Sequence, residues 1–268
     1  MSAESSPVVG PSDLNDWNYL WDAFGEASLE NPANSYRQAL ILRLLGRPPA
    51  GSTVLDIGSG QGQFALWLQA LYPDLAVWGV DNSAEGVARS RAHAVQAGSA
   101  AKFRQANLME PTTLAGGQPP ATYAVCSEVL EHVDDPVRLI RNARPLLAPG
   151  CRLVVTVPGG PRSTFDRNWG HYQHFTARKL NQVLTDAGYE VRRVLRAGFP
   201  FFNLYKLAVI AGGKTLIANA ERREPGRVIP AQSMVYALFR FGLRHSLDNT
   251  PFGWQMAAVA TAPPNDRS

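Results

Sequence analysis

The chain has 268 residues, 45% of them hydrophobic and 18% charged, with a formal net charge of +4. That size and composition fit one large α/β domain with an elaboration, or two small domains, and exclude a disordered or collagen-like chain. The charge is unevenly divided: residues 1–150 carry 10 Lys and Arg against 15 Asp and Glu, and residues 151–268 carry 16 against 7. The basic half is either a solvated surface or a face for an anionic substrate, an acidic carrier, a membrane surface or nucleic acid.

In chain order, residues 1–12 read as a flexible N-terminus, and Met1 to Pro11 lack the basic and apolar regions of a secretory leader. Residues 13–50 read as N-terminal helices. Trp17, Tyr19, Leu20 and Phe24 mark the first, Tyr36, Leu40, Leu44 and Leu45 the second, and Pro48-Pro49 with Gly51 closes it. Residues 51–196 then alternate strands with helices. Strands are predicted at Thr53–Ile57, Ala76–Val80, Ala101–Gln105, Tyr123–Ser127, Leu153–Val157 and Tyr189–Leu195. Helices are predicted at Gln63–Leu71, Ala84–Ala97, Pro136–Leu147 and Ala177–Ala187. This alternation specifies a mostly parallel sheet covered by helices on both faces. A last strand is expected at Gln255–Thr261, within 253–262, followed by a tail over 263–268.

Residues 197–252 are too long for a structureless loop inside such a domain, so they are expected to be a helical insertion capping the substrate side. Its most lipid-like stretch, Phe199 to Ala218, is interrupted by Lys206, Gly212-Gly213 and Lys214. It is a poor membrane span, which leaves peripheral membrane contact open. Cys126 and Cys151 both fall in predicted strands, without a CxxC pair, as expected of core residues in a reduced, cytoplasmic setting.

The chemistry concentrates at Val54-Leu55-Asp56-Ile57-Gly58-Ser59-Gly60-Gln61-Gly62. An apolar strand runs into a turn whose glycines allow positive φ and close approach of a ligand. The turn lies at the carboxyl end of a strand, where open α/β sheets bind ligands. A dinucleotide fingerprint needs glycine three positions after Gly60, but Gln63 stands there. The third glycine comes one position earlier, at Gly62. About 20 residues on, Asp81 ends the second strand, where a carboxylate can accept both hydroxyls of a ribose.

This Gly-x-Gly-x-Gly spacing, with Asp56 two residues ahead, resembles the Rossmann-like class of S-adenosylmethionine (SAM)-dependent methyltransferases. The resemblance covers residues 35–195 and extends to Pro149-Gly150 and to His174-Phe175-Thr176 opening a helix that ends at Gly188. The segment Cys126-Ser127-Glu128-Val129-Leu130-Glu131-His132-Val133 is similar to the Glu-x-x-Glu-His stretch of small-molecule methyltransferases, including those of the ubiquinone-pathway O-methyltransferase type. The resemblance implies a seven-stranded sheet and SAM as cofactor, and it places Ser127 and its neighbours beside the methyl group. It assigns the ribose to Asp81, a flank of the adenine to Asn82, and the adenine amino group to the side chain of Asn107. The Leu108 backbone adds a contact to the ring. Arg37, on the helix covering the cofactor, is either a partner for the cofactor's carboxylate or a surface residue.

The implied reaction is methyl transfer to a small molecule, with a hydroxyl as the expected acceptor. His132 is the candidate general base, against a purely packing role. His171, with Tyr172 and His174, either faces the substrate or packs ahead of a helix capped by Thr176. Phe199, Phe201, Phe202 and Tyr205, with Arg222, Arg223 and Arg227, suit an amphiphilic or anionic acceptor or the core of the insertion. Three rivals stand beside this reading. Glu128, Glu131 and His132, with His171 or His174, form a set that a metal-assisted RNA 2′-O-methyltransferase would use, although the preferred reading has no metal. An NAD enzyme is disfavoured by the glycine spacing. A non-catalytic SAM-binding module is the third. No nucleic-acid-binding signature is present, and the oligomeric state is not encoded in any feature of the sequence.

Overall fold

In the computed structural model, which describes residues 32–114, 118–221 and 241–263, strand β1 (Thr53–Ile57) is buried at every position. A central strand of a parallel sheet covered on both faces is expected to be buried along its length. Alternation then sorts its side chains. Val54 packs to one side with Ala65, Leu68 and Val77, and Leu55 and Ile57 pack to the other with Ala124, Cys126 and Ile140.

Helix α1 (Pro32–Leu45) precedes β1, and the elements that follow are α2 (Gln63–Leu71), β2 (Ala76–Asp81), α3 (Ala84–Gln96), β3 (Lys102–Gln105) and β4 (Ala121–Ser127). Next come α4 (Pro136–Ala143), β5 (Leu147–Pro158), α5 (Thr164–Asn168), α6 (Ala177–Asp186), β6 (Glu190–Ala197), α7 (Phe201–Glu221) and β7 (Gln255–Thr261). The strands form one seven-stranded sheet in the order β3-β2-β1-β4-β5-β7-β6. β7 runs antiparallel to both β5 and β6, and the other pairings are parallel. The order reverses between β1 and β4, and that switch point is where such sheets bind ligands.

The strand-and-helix expectation holds, with informative shifts at the ends. The fourth helix stops at Ala143 and tightens into a 3₁₀ turn at Arg144–Leu146, because Pro145 has no N–H to continue the ladder. β5 therefore begins at Leu147, opposite Ala121, six residues before the expected Leu153. Thr176 caps α6 as expected, accepting the Lys179 N–H. The short helix Thr164–Asn168 is an addition that the hydrophobic pattern does not reveal. Within the insertion, α7 supplies the expected helix, while Arg222, Arg223, Arg227, Tyr236 and Phe239 lie outside the described residues, as do residues 1–31. No described helix is long and apolar enough to cross a membrane.

The glycine turn is fixed sterically as well as by its dihedrals. Gly62 begins α2 at φ 80°, and a Cβ there would meet the Phe103 ring at 2.7 Å and Ser90 Cβ at 2.9 Å. Gly46, at φ 74°, has nothing within 4 Å of the same position. Both Gly62→Ala and Gly46→Ala should incur the left-handed penalty of about 1–2 kcal/mol. Gly62→Ala should lose about 1–3 kcal/mol more through overpacking. Equal losses in urea unfolding would show that the contact with Phe103 is not a constraint.

Candidate active site

The turn after β1 is built onto the end of β2. Gly58 and Ser59 donate their N–H groups to the Val80 carbonyl at 2.8 and 3.0 Å. Gly60 N–H donates to Asp81 Oδ2 at 2.7 Å, and Ser83 N–H donates to Asp81 Oδ1 at 2.8 Å. Ser83 in turn caps α3 by accepting the Gly86 N–H at 2.9 Å. Burial pushes the Asp81 carboxyl up, and the bonds from Ser83 and Gly60 oppose the rise. The Asn82 N–H also opposes the rise, and since a carboxylate accepts about four hydrogen bonds, Asp81 keeps some acceptor capacity for a ligand. Asp56 lies beneath the turn, 4% exposed. Burial, and then the Asp81 charge, raise its pKa to about 7 against a backbone bond from Ala65.

Beyond the turn is a cleft, partly open to solvent, lined by Gly58, Asp81, Asn82, Asn107, Leu108, Glu128 and His132. Ile57, Val80, Met109, Val129, Val133 and Leu139 give it apolar walls. A Cβ on Gly58 would strike Val129 Cγ2 at 2.4 Å, so only glycine allows this wall to close over the turn. Asn107 Oδ1 accepts the Met109 N–H at 3.0 Å, and the Leu108 carbonyl accepts from Asn142 at 2.9 Å. Asn107 is thus both a turn residue and a cleft residue, and the main-chain group Leu108 can still offer is its N–H.

Of the sequence candidates, Arg37, Asp56, Gly60, Gly62, Ser127 and His171 do not line this cleft. Gly60 acts through Asp81, and Ser127 shares a hydrogen bond with Thr156 at 2.8 Å. Arg37 bonds Asn34 and stands 3.5 Å from Glu128 Oε2. It therefore meets a carboxylate of the protein itself, where the sequence left a cofactor carboxylate or the surface open. Glu128, at the tip of β4, has a φ of 56°, a strained value for a residue with a side chain, costing about 1–3 kcal/mol. It is held there by its N–H on the Thr156 carbonyl at 2.9 Å and by Gln255 Nε2 on Oε1 at 2.8 Å.

Glu131 is wholly buried and neither carboxyl oxygen has a hydrogen-bond partner. Burial, with Glu128 adding to it, drives its pKa well above the usual carboxylate range. Next to it His132 lies with Nε2 3.8 Å from Glu131 Oε1 and Nδ1 3.2 Å from the Gly170 carbonyl. A carbonyl only accepts, so the proton sits on Nδ1 and Nε2 is the acceptor nitrogen. Burial lowers the His132 pKa to about 4. The His171 ring meets His132 edge-on at 4.6 Å. His174 Nδ1 faces the Gly160 carbonyl at 3.1 Å, and His171 Nδ1 faces His174 Nε2 at 3.2 Å. Two backbone carbonyls thereby fix the tautomers of three histidines.

Sequence reasoning passed over two charged residues here. Asp166, 2% exposed, accepts Lys206 Nζ at 2.5 Å, and both Ser163 N–H and Ser163 Oγ–H at 2.7 Å. Burial favours the neutral acid, but the Lys206 ammonium and the bonds from Lys206 and Ser163 outweigh it and hold the carboxyl below its usual range. The available signal was Lys206 itself, the one charged residue in the largely apolar run 199–211.

Comparison with known proteins follows the same lines. The family described as "Methyltransferase domain" matches residues 31–194. A ubiquinone biosynthesis O-methyltransferase of Xanthomonas axonopodis pv. citri (strain 306) is 33% identical over 140 residues, 52% of this chain and 56% of its own length. The chain thus spans little more than half of that relative. Among solved structures, the cyclase SpnF superposes with a TM-score of 0.63 at 18% identity, covering 97% of this chain and all of the other. Phosphoethanolamine N-methyltransferase 2 of Haemonchus contortus, in complex with SAM, superposes at 0.56 and 17% identity, covering 95% of this chain and 57% of the other. At such identities the structural likeness establishes the fold. The family match covers more than half of the chain, and with the glycine turn, the Asp81 anchor and the β7-inserted sheet it carries one conclusion: the chain belongs to the methyltransferase-domain family of SAM-dependent enzymes.

Proposed function

We propose that the protein transfers the methyl group of SAM to a hydroxyl of a small-molecule acceptor. The observation that carries this reading is His132, which lines the cleft and donates Nδ1–H to the Gly170 carbonyl, so that Nε2 is its acceptor nitrogen. The cleft's residues suit the donor. Asp81 has acceptor capacity for a ribose, the apolar walls suit an adenine, and Asn82, Asn107 and Leu108 line the same cleft. Bound SAM supplies an electrophilic methyl on a sulfonium, so the protein's main contribution is to hold donor and acceptor in line and exclude water. His132 Nε2 takes the acceptor's proton as the new bond forms, and His171 supports its ring from the side. A small molecule agrees with relatives named ubiquinone biosynthesis O-methyltransferase.

A second reading of hydroxyl activation is favoured by Glu131. A wholly buried carboxyl with both oxygens unbonded is costly unless it is neutral or meets a cation. Glu131, His132 and His171 each offer a ligand atom within 4.8 Å of the others. His132 also donates its other ring nitrogen to a backbone carbonyl, as metal-bound histidines commonly do. A divalent ion there would act as a Lewis acid on the hydroxyl.

Incubation with methyl-labelled SAM and hydroxylated small molecules should yield a labelled methyl ether, and a product labelled on nitrogen or carbon would sink the O-methylation reading. With such an acceptor, His132→Gln should lower kcat on the order of 10²–10⁴-fold. Because the neutral imidazole is the active form, the wild-type rate should hold as pH falls and drop only through about 4. An acid limb near the ordinary imidazole value would contradict the buried base. The two modes of activation separate on chelation: full activity in EDTA supports the imidazole acting alone, and loss restored by Mg²⁺ supports the ion at Glu131.

A further inference from the structure

Two three-residue clusters stand side by side and share His171. Glu131, His132 and His171 form one, and Asp166, His171 and His174 form the other, each with ligand atoms within 4.8 Å of one another. Their hydrogen-bond states differ. In the first, both Glu131 oxygens lack partners. In the second, Asp166 Oδ1 accepts Lys206 at 2.5 Å and Oδ2 accepts Ser163 twice at 2.7 Å. His174 Nε2 accepts the His171 Nδ1 proton at 3.2 Å.

We propose that Lys206, carried in by the insertion helix α7, is the resident cation of the second cluster: its ammonium takes the place of a divalent ion on Asp166 and closes Asp166, His171 and His174 to metal. Three features require this. The ammonium sits on a carboxylate that is 2% exposed, where solvent screens poorly and a second cation would be strongly repelled. The Nδ1 lone pair that His171 would have to give a metal is occupied by the proton donated to His174. Lys206 also has a fixed place. One turn earlier on α7, Asn203 donates to the Phe252 carbonyl at 2.7 Å and accepts the Trp254 N–H at 3.1 Å, which registers the helix against the chain entering β7. The same ammonium acts electrostatically on Glu131, His171 and His174. The insertion therefore contributes a charge that separates an open cluster from a closed one, whatever the acceptor.

Cobalt(II) absorption titration of the full chain tests this without any acceptor. Lys206→Met should bind Co²⁺ more tightly than wild type, on the order of 10–100-fold, the range that neighbours of metal ligands control. Adding His174→Gln should abolish that gain, adding His132→Gln should leave it, and Lys206→Arg should behave as wild type. Equal Co²⁺ affinity in wild type and Lys206→Met, or a gain that survives His174→Gln, would overturn the proposal. Should Lys206→Met fail to fold by circular dichroism, His174→Gln alone decides. Unchanged Co²⁺ affinity supports a closed cluster, and weakened affinity shows that the cluster already takes metal.

Discussion

The carboxylate of Asp81 receives one backbone N–H from the glycine turn and one from the N-cap of α3, and on this pair of bonds the binding cleft depends. Beyond the β1–β2 ladder, the bonds to the Val80 carbonyl also tie the turn to the end of β2. With them, the glycine-rich turn becomes a rigid floor. The cost is a buried charge beside a second buried carboxyl, Asp56. That arrangement is tolerable because charge-assisted bonds to backbone N–H groups are among the stronger ones. Such a preorganised acceptor can take up hydroxyl groups with little rearrangement.

The acceptor side follows a different physical plan. Here the structure holds polar groups that do not pay one another off locally, with Glu131 unbonded, Glu128 strained, and three histidines kept neutral by burial. Strain and unsatisfied polarity concentrate where function needs them. Two cations from outside the core sheet, Arg37 on α1 and Lys206 on α7, reach in to Glu128 and Asp166. The elements before β1 and before β7 thus contribute to the electrostatics of this region. In the superposition with SpnF, a cyclase, one fold serves more than one chemistry.

Much of the donor side was legible in the sequence because its signals are local. Strand periodicity, the glycine spacing and an acidic residue at a strand end each fall within a few residues, and β1, α2 and β7 appear with the expected limits. The end of α4 was misjudged because Pro145 was weighed less than the surrounding apolar pattern. The acceptor side was only partly legible, since its contacts join distant segments. Lys206 meets Asp166 across 40 residues, and Gln255 meets Glu128 across 127. Nothing in the periodicity of a strand or helix records such pairs. A cation, Lys206, in a largely apolar stretch was the trace they left.

Calorimetric titration with S-adenosylhomocysteine tests the central claim most directly, using wild type and a folded Asp81→Ala variant. The Asp81 anchor predicts clear binding to wild type and a loss of roughly 10- to 100-fold in the variant, as expected for removing hydrogen bonds to a charged group. Undiminished affinity in Asp81→Ala, or no binding to wild type, would contradict it.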